Sequence, residues 1–190
     1  MIIINDKNNK KISIKMDWKH LSYIQGDEKI VFNIEPMVGG AIMSNNLRWI
    51  CENNSVELTT ISKIEAIFGV KFPEDYVKCI MKTDGAYPKP NRFKLNGNEE
   101  VFNNLLSFDE EDSSNIINIY NDVSDRLIKK VIPFAEDPFG NLICFDYSDN
   151  EKIAIMFWEH EKAFNDKEAA MSYLCDSFTE LLLMLHEPQE

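Results

Sequence analysis

Apolar and polar positions alternate along the first part of the chain, and this pattern predicts β-strands. Ile12, Ile14 and Met16 alternate with polar residues, and a second alternating run covers residues 30–34. Because side chains two residues apart lie on the same face of a strand, such alternation is typical of a sheet with one buried face. We therefore predict that residues 1–55 form a β-rich N-terminal extension that packs on, or extends, the sheet of the main domain.

From residue 58 the apolar period changes to that of helices, and two short helices are predicted in succession. The first has its apolar face at Ile61, Ile64 and Phe68. Gly69 follows at the position where a left-handed residue ends a helix, and Thr59 or Thr60 can cap the start. Pro73 suits the first turn of the second helix, which Asp84-Gly85 brings to an end.

The middle of the chain predicts a hairpin followed by a third helix. Asn96-Gly97, between two short apolar runs, is a hairpin signal. Asp112 or Ser113 can cap the helix that follows. The apolar face of that helix is predicted at Ile116, Ile117, Tyr120 and Val123.

The last third of the chain predicts three strands and a terminal helix. The strands are expected at Val131–Ala135, Leu142–Tyr147 and Ile153–Trp158. Short polar turns between them favour an antiparallel meander. Ser177 and Glu180 have the spacing of a capping box at the start of the terminal helix.

Together these elements predict an α+β fold, with helices packed on one side of a mainly antiparallel sheet. A single main domain is expected over residues 56–190, after the extension of residues 1–55. The chain has 190 residues, which is enough to bury a hydrophobic core without a disulfide or a metal ion.

The chain is strongly acidic, and this excludes two classes of partner. Thirty-two Asp and Glu residues against twenty Lys and Arg residues leave a net charge of −12. Nucleic acids and anionic membranes bind proteins mainly through Lys and Arg. No apolar run reaches the length of about 18 residues that a membrane-spanning helix needs. We therefore expect a soluble chain with no direct nucleic-acid partner and no membrane partner.

The cysteines and histidines form no metal or redox motif. No two of the four cysteines have CxxC spacing, and no HExxH or HxxxH occurs, so neither a zinc site nor a dithiol motif is predicted. The apolar run Met1–Ile4 is too short for a signal peptide. The sequence predicts a reduced, cytoplasmic chain with no metal and no cofactor.

One nucleophile and base pair is conceivable within the predicted meander. Cys144, Asp146 and His160 could become neighbours there, and a thiol beside an imidazole is a known catalytic pair. However, Cys144 alternates with Ile143 and Phe145 in a strand that must have a core face, and a free cysteine in such a strand is often simply buried. No nucleophile elbow, P-loop or dinucleotide motif occurs. We therefore predict no catalytic site and no enzyme activity.

The most distinctive stretch is residues 99–125, which contains eight acidic residues and no Lys or Arg. Four of the acids are consecutive, at Asp109, Glu110, Glu111 and Asp112. A solvated loop at a helix N-terminus accounts for part of this run through the helix dipole, and the EF-hand calcium pattern is absent. The remaining hypothesis is a surface that attracts a basic protein.

The order of several short motifs gives the chain a family resemblance. The motifs are Phe72-Pro73-Glu74-Asp75-Tyr76, Asp84-Gly85, Val131-Ile132-Pro133-Phe134-Ala135, Gly140-Asn141-Leu142-Ile143-Cys144-Phe145-Asp146, Phe157-Trp158-Glu159-His160-Glu161 and Ser177-Phe178-Thr179-Glu180-Leu181-Leu182. This order resembles the SUKH superfamily, which contains fungal cell-wall-synthesis regulators and bacterial immunity proteins of polymorphic toxin systems. Phe72 departs from the leucine that is commonest there.

The resemblance implies a binding function, because most motif residues fix turns or fill the core. It implies an immunity protein that binds and neutralises a cognate protein toxin, expected to be a basic nuclease domain. The alternative that it leaves open is a non-catalytic regulatory scaffold of the cell-wall-assembly-regulator type. Together with the charge pattern, the resemblance makes Asp109–Asp112 the predicted contact surface. The alternative location is around Tyr87 or Trp158.

Overall fold

The structure is a computed structural model that describes the backbone of one set of residues and the side chains of a smaller set. Backbone structure is described for residues 2–5, 11–16, 25–26, 29–33, 36–38, 41–42, 47–51, 55–149 and 151–188, and side chains for 47–50, 55–149 and 151–188. The helices in these ranges are α1 Leu58–Phe68, α2 Glu74–Ile80, α3 Ile116–Val123, α4 His160–Ala163 and α5 Phe178–Met184. None of these helices combines the length and the apolar character needed to cross a bilayer.

The described strands form antiparallel sheets. They are β1 Ile2–Asn5, β2 Lys11–Met16, β3 Gln25–Gly26, β4 Lys29–Asn33, β5 Pro36–Val38, β6 Ala41–Ile42, β7 Arg48–Cys51, β8 Tyr87–Lys89, β9 Arg92–Leu95, β10 Asn98–Val101, β11 Asn104–Leu105, β12 Val131–Glu136, β13 Leu142–Asp146, β14 Ala154–Trp158 and β15 Met171–Cys175. The strand orders are β1-β2-β5-β6, β3-β4-β7-β8, β10-β9 and β11-β12-β13-β14-β15. This arrangement confirms the predicted α+β class.

The five-stranded sheet contains the predicted meander and has two buried faces. In β13, Ile143 and Phe145 belong to the large core, whereas Leu142 and Cys144 belong to a second, smaller cluster. Successive side chains of a strand point to opposite faces, so both faces of this strand are covered.

Aromatic rings from strands and helices fill the large core. The rings of Phe134 and Phe145 stack with their centroids 4.1 Å apart. Tyr76 of α2 contacts Phe145 at 5.1 Å and Phe178 of α5 at 5.3 Å. Each such pair contributes about 1 kcal/mol beyond the buried area, so α2 and α5 are held against the same face of the sheet.

The smaller cluster covers the opposite face of the sheet. Its fully or largely buried members are Leu127, Val131, Leu142, Cys144, Trp158, Ala163 and Ala170. Leu127 follows α3 and Ala163 ends α4, so chain segments outside the meander cover this face. The sequence predicts helices on one side of the sheet, and this layer adds α4 on the other side.

Three local signals in the sequence are confirmed. Gly69 ends α1 in the left-handed conformation, at φ 68°. Asn96 and Gly97 also have positive φ, 51° and 87°, as the predicted hairpin turn between β9 and β10 requires. At the start of α5, Ser177 accepts a hydrogen bond from the backbone N–H of Glu180 at 3.1 Å.

Two predicted helix caps are wrong. Helix α1 begins after Glu57 with no side-chain cap, so neither predicted threonine caps it. Helix α3 is capped by Asn115, whose side chain accepts two backbone N–H groups at 3.0 and 3.2 Å, and not by Asp112 or Ser113. The reason is that the chain from residue 109 to 114 is folded into a loop of its own.

Strand β7, near the end of the predicted N-terminal extension, pairs with a strand of the main domain. Strand β7 pairs with β8, with Trp49 opposite Pro88 and Ile50 opposite Tyr87. Trp49 is buried in the large core, where its ring lies 6.0 Å from that of Phe102. Residues 47–50 therefore belong to the packed structure.

Candidate partner interface

The four consecutive acids lie in a closed loop between β11 and α3. Its ends are joined by a hydrogen bond from the backbone N–H of Ser107 to the carbonyl of Ser114, at 2.9 Å. The side-chain amide of Asn115, directly after the loop, donates to the carbonyl of Asp109 near its start, at 2.8 Å. Residues 108–114, here named the acidic loop, are therefore an ordered unit.

Two of the four acids shape this loop, and three of the four, Asp109, Glu110 and Glu111, are exposed. Asp109 accepts from the backbone N–H of Glu111 at 3.0 Å, and Asp112 accepts from that of Ser114 at 2.8 Å. Such bonds are Asx turns, in which a short carboxylate replaces a backbone acceptor. Glu110 and Glu111 are exposed, so their side chains carry the charge that a partner would meet first.

A buried carboxylate supports the acidic loop from below. Asp84 accepts from the backbone N–H of Phe108 at 2.9 Å and from the hydroxyl of Ser107 at 3.2 Å. Burial raises the pKa of Asp84, its two hydrogen bonds lower it, and the nearby Asp112 and Asp109 raise it further, so that the net direction is upward. The acidic loop therefore rests on a buried carboxyl group whose ionisation is opposed by the loop's own acids.

The glycine after Asp84 places β8 beside the acidic loop. Gly85 has φ 65°, and a methyl group on it would lie 3.8 Å from the carboxylate of Asp112 and from Cβ of Ser107. Tyr87 is 48% exposed and only two residues further on, hence within about 7 Å of Gly85. Tyr87 and the predicted acidic surface therefore lie close together.

Trp158 does not belong to this surface, and its prediction as a contact residue is wrong. Its side chain is 0% exposed and packs in the smaller cluster. The guanidinium of Arg126 lies 5.5 Å from the centre of its ring. The prediction failed because it allowed for only one covered face of the sheet, whereas Trp158 lies on the second covered face.

The conceivable catalytic set is not assembled. Cys144 is buried beside Leu142 and Trp158, and burial raises the pKa of its thiol, which disfavours the reactive thiolate. Asp146 instead accepts from the backbone N–H of Ser148 at 2.8 Å. In the ranges with described side chains, no three His, Cys, Asp or Glu residues converge as metal ligands.

His160 belongs to a different group, at the turn between β12 and β13. Asp137 accepts from the backbone N–H groups of Phe139 and Asn141, at 2.7 and 2.8 Å, and from the side-chain amide of Asn141 at 2.7 Å. Asn141 Oδ1 in turn accepts from the backbone N–H of His160 at 3.1 Å. The turn is thereby fixed to the start of α4.

Sequence reasoning missed the two most exposed apolar rings of the described chain, and both lie near this turn. Phe139 is 69% exposed and Phe164 is 70% exposed. The available signal was an aromatic residue between Pro138 and Gly140, because a turn with that composition offers no core position to a ring. These residues enlarge the candidate interface beyond the acidic loop.

Comparison with known proteins identifies the family of the chain. Residues 56–184 match the SMI1 / KNR4 family (SUKH-1). A relative in Bacillus subtilis strain 168, the SPbeta prophage-derived uncharacterized protein YokK, is 27% identical over 149 residues, which cover 68% of this chain and 75% of the relative. The family match spans well over half of the chain and contains both the acidic loop and the β12–β13 turn. The chain therefore belongs to the SMI1/KNR4 family, SUKH-1.

Proposed function

We propose that this chain is an immunity protein that binds and neutralises a cognate toxin domain of a bacterial polymorphic toxin system, and that the toxin is a basic nuclease. The observation that carries the proposal is the acidic loop, an ordered loop with two exposed glutamates above a buried aspartate. Family membership supports a protein-binding function. The similarity to a prophage-derived protein supports a bacterial setting.

Charge gives this proposal a physical mechanism. A nuclease must hold a polyanion, so its cleft is lined with Lys and Arg. A rigid group of carboxylates both attracts such a cleft from a distance and occupies the positions that phosphates would take. In this proposal the complex forms in the cytoplasm, where the net charge of −12 also keeps the immunity protein itself off nucleic acids.

The proposal requires no catalysis by this chain. The buried Cys144 is a packing residue in it, and its sulfur has no chemical role. Replacement of Cys144 by alanine is therefore expected to leave protection intact in a variant that still folds.

The test is co-expression with the toxin domain encoded beside this chain, followed by binding kinetics with the same domain. The wild-type protein should protect the host cell. A variant with Glu110→Lys and Glu111→Lys should associate about tenfold more slowly at 0.15 M salt, because steering is lost, while its dissociation rate changes little. A matched control, Glu57→Lys with Glu151→Lys, changes the net charge equally at two exposed positions outside the acidic loop and should associate like the wild type.

Each alternative predicts a different result. A wild-type protein that neither binds nor protects against the adjacent toxin domain would overturn the proposal. Binding without protection would favour the regulatory scaffold. Loss of protection in a folded Cys144→Ala variant would revive the enzyme hypothesis. Equal association rates and equal salt dependence for the reversed and the wild-type loop would show that the acidic loop is only solvated.

A further inference from the structure

Two of the exposed apolar side chains, Phe139 and Phe164, belong to the region of the β12–β13 turn. Several large apolar side chains of the described residues are exposed: Leu58, Ile67, Tyr87, Phe139, Phe164 and Tyr173. The two highest exposures are those of Phe139 and Phe164. Single exposed apolar residues are common, whereas several of them on one surface are typical of a binding surface.

Phe139 and Phe164 lie on either side of His160. A methyl group on Gly140, the residue after Phe139, would lie 3.7 Å from Nδ1 of His160. His160 begins α4, and Phe164 is its C-terminal cap in helical conformation, so these two residues are four positions apart on one side of the turn. We name Phe139, His160 and Phe164 the aromatic end.

The backbone that carries Phe139 and the ring of Phe164 are held in position before any partner arrives. The turn that carries Phe139 is fixed by the three hydrogen bonds to Asp137. The guanidinium of Arg126 lies 4.6 Å from the centre of the Phe164 ring, which is a cation–π distance. Pre-positioned groups lose little conformational entropy on binding, so these rings are suited to be anchors.

Charges of both signs surround the aromatic end, with Glu100, Asp137 and Glu159 against Lys162 and Arg126. Burial raises the pKa of Glu100, and the charges of Asp137 and Glu159 raise it further, while Lys162 lowers it. Lys162 is already paired with Glu159. The carboxylates outnumber the cations here, so a partner that covers this end together with the acidic loop is favoured by positive charge as well as an apolar recess.

The aromatic end is continuous with the acidic loop. The hydroxyl of Ser114, the last residue of the loop, donates to the carboxylate of Glu136 at 2.7 Å. Glu136 directly precedes Asp137, which holds the turn of Phe139. The acidic loop is therefore joined to the end of β12, next to the turn that carries Phe139.

We propose that the aromatic end is the anchor of the interface, and that Phe139 and Phe164 insert into apolar recesses bordered by Lys and Arg on the toxin domain. This inference rests on the proposed function and adds the residues that hold the complex together. The two parts then have separate tasks, because charge acts on association whereas buried anchors act on dissociation.

The test measures binding of the full-length chain to the toxin domain encoded beside it. Phe139→Ser is expected to dissociate about 30-fold faster, the effect of losing a buried aromatic anchor, with association and its salt dependence unchanged. Phe164→Ser is expected to act in the same direction. The matched control is Ile67→Ser on α1, because Ile67 is 63% exposed, and it should bind like the wild type. Thermal unfolding of each variant verifies the fold.

The possible outcomes separate this inference from the proposed function. Faster dissociation of Phe139→Ser and Phe164→Ser, with Ile67→Ser unchanged, supports the anchor. If the wild type binds and both phenylalanine variants dissociate at its rate, the anchor is wrong and the proposed function stands. If Ile67→Ser weakens binding as much as they do, the anchor is also wrong. Absence of wild-type binding overturns both.

Discussion

Two buried carboxylates, Asp84 and Asp137, hold the two parts of the proposed interface in different ways. The hydrogen bonds of Asp137 reach only two to four residues along the chain. Those of Asp84 reach Ser107 and Phe108, which are 23 and 24 residues away. The turn that carries Phe139 is thus determined locally, whereas the acidic loop takes its position only when β11 has docked beside the Asp84 segment.

The two carboxylates also differ in the free energy that their burial costs. Three donors compensate the burial of Asp137, whereas Asp84 has two donors and lies close to two further carboxylates. A site that concentrates negative charge loses stability in the free protein, and a cationic partner that binds only the folded state restores it. The acidic loop is therefore the part of the interface whose free energy depends most on the partner.

The largest effect is expected from removal of the local tether. Asp137→Ala would leave two backbone N–H groups and the amide of Asn141 without their acceptor, at a cost of about 3 kcal/mol in the free energy of unfolding. Urea denaturation measures this loss. The matched control is Asp149→Ala, because Asp149 accepts one backbone N–H, that of Glu151, at 2.8 Å in an exposed turn of the same sheet, and it should cost less than about 1 kcal/mol. Equal losses for the two variants would contradict the special role of Asp137.

An intermediate and pH-dependent effect is expected at Asp84. Its pKa in the folded protein is raised above the ordinary 3.8, so its contribution to stability is complete below that pH and is lost as the pH rises through the folded-state pKa. Asp84→Asn keeps an acceptor for the N–H of Phe108 and cannot ionise. We expect equal stability of variant and wild type at pH 3, and a more stable variant at pH 7.

Denaturation of the two proteins across this pH range measures the difference. Asp149→Asn, at an exposed aspartate, serves as the control and should follow the wild type throughout. A constant difference between Asp84→Asn and wild type at every pH would contradict an ionised, crowded Asp84. A variant that is less stable at pH 7 would show that the carboxylate charge strengthens the tether by more than burial weakens it.

The smallest effect on stability is expected inside the acidic loop itself. Asp109→Asn combined with Asp112→Asn keeps the side-chain oxygens that accept from Glu111 and Ser114, so the free energy of unfolding should change by less than about 0.5 kcal/mol. Association with the toxin domain should slow by less than in the double glutamate reversal, because two charges are removed rather than inverted. A loss of stability above about 1 kcal/mol would show that the charges, and not only the oxygens, hold the loop.

Local signals made much of the fold predictable. The meander, the hairpin at Asn96-Gly97 and the capping box of Ser177 each depend on residues a few positions apart. Strand β15 was missed, because a register shift opposite Ile155 and Met156 leaves Leu174 and Cys175 both buried and breaks the alternation. Helix α4 is only four residues long, which is too short for a helical period to be recognised.

The candidate site was predictable only in part, for the same reason. The run Asp109–Asp112 was recognisable as an acidic loop, and it is ordered by bonds within the run. Its support from Asp84 was not recognisable, because no pattern in the sequence relates positions 84 and 108. The sequence favoured a core or rim position for Trp158, but the cover of its face was not predictable, because residues such as Leu127 lie in a segment for which no structure was predicted.

The pairing of β7 with β8 sets a limit on how this family unit can be transplanted. The stretch that matches the family begins at residue 56, yet Leu47 and Trp49 are core residues. A chimaera or truncation cut at the family boundary would remove an indole from the interior and uncover one edge of β8. The stretch of sequence that matches the family is therefore shorter than the unit that must be moved intact. Grafts of this domain should begin upstream of Leu47.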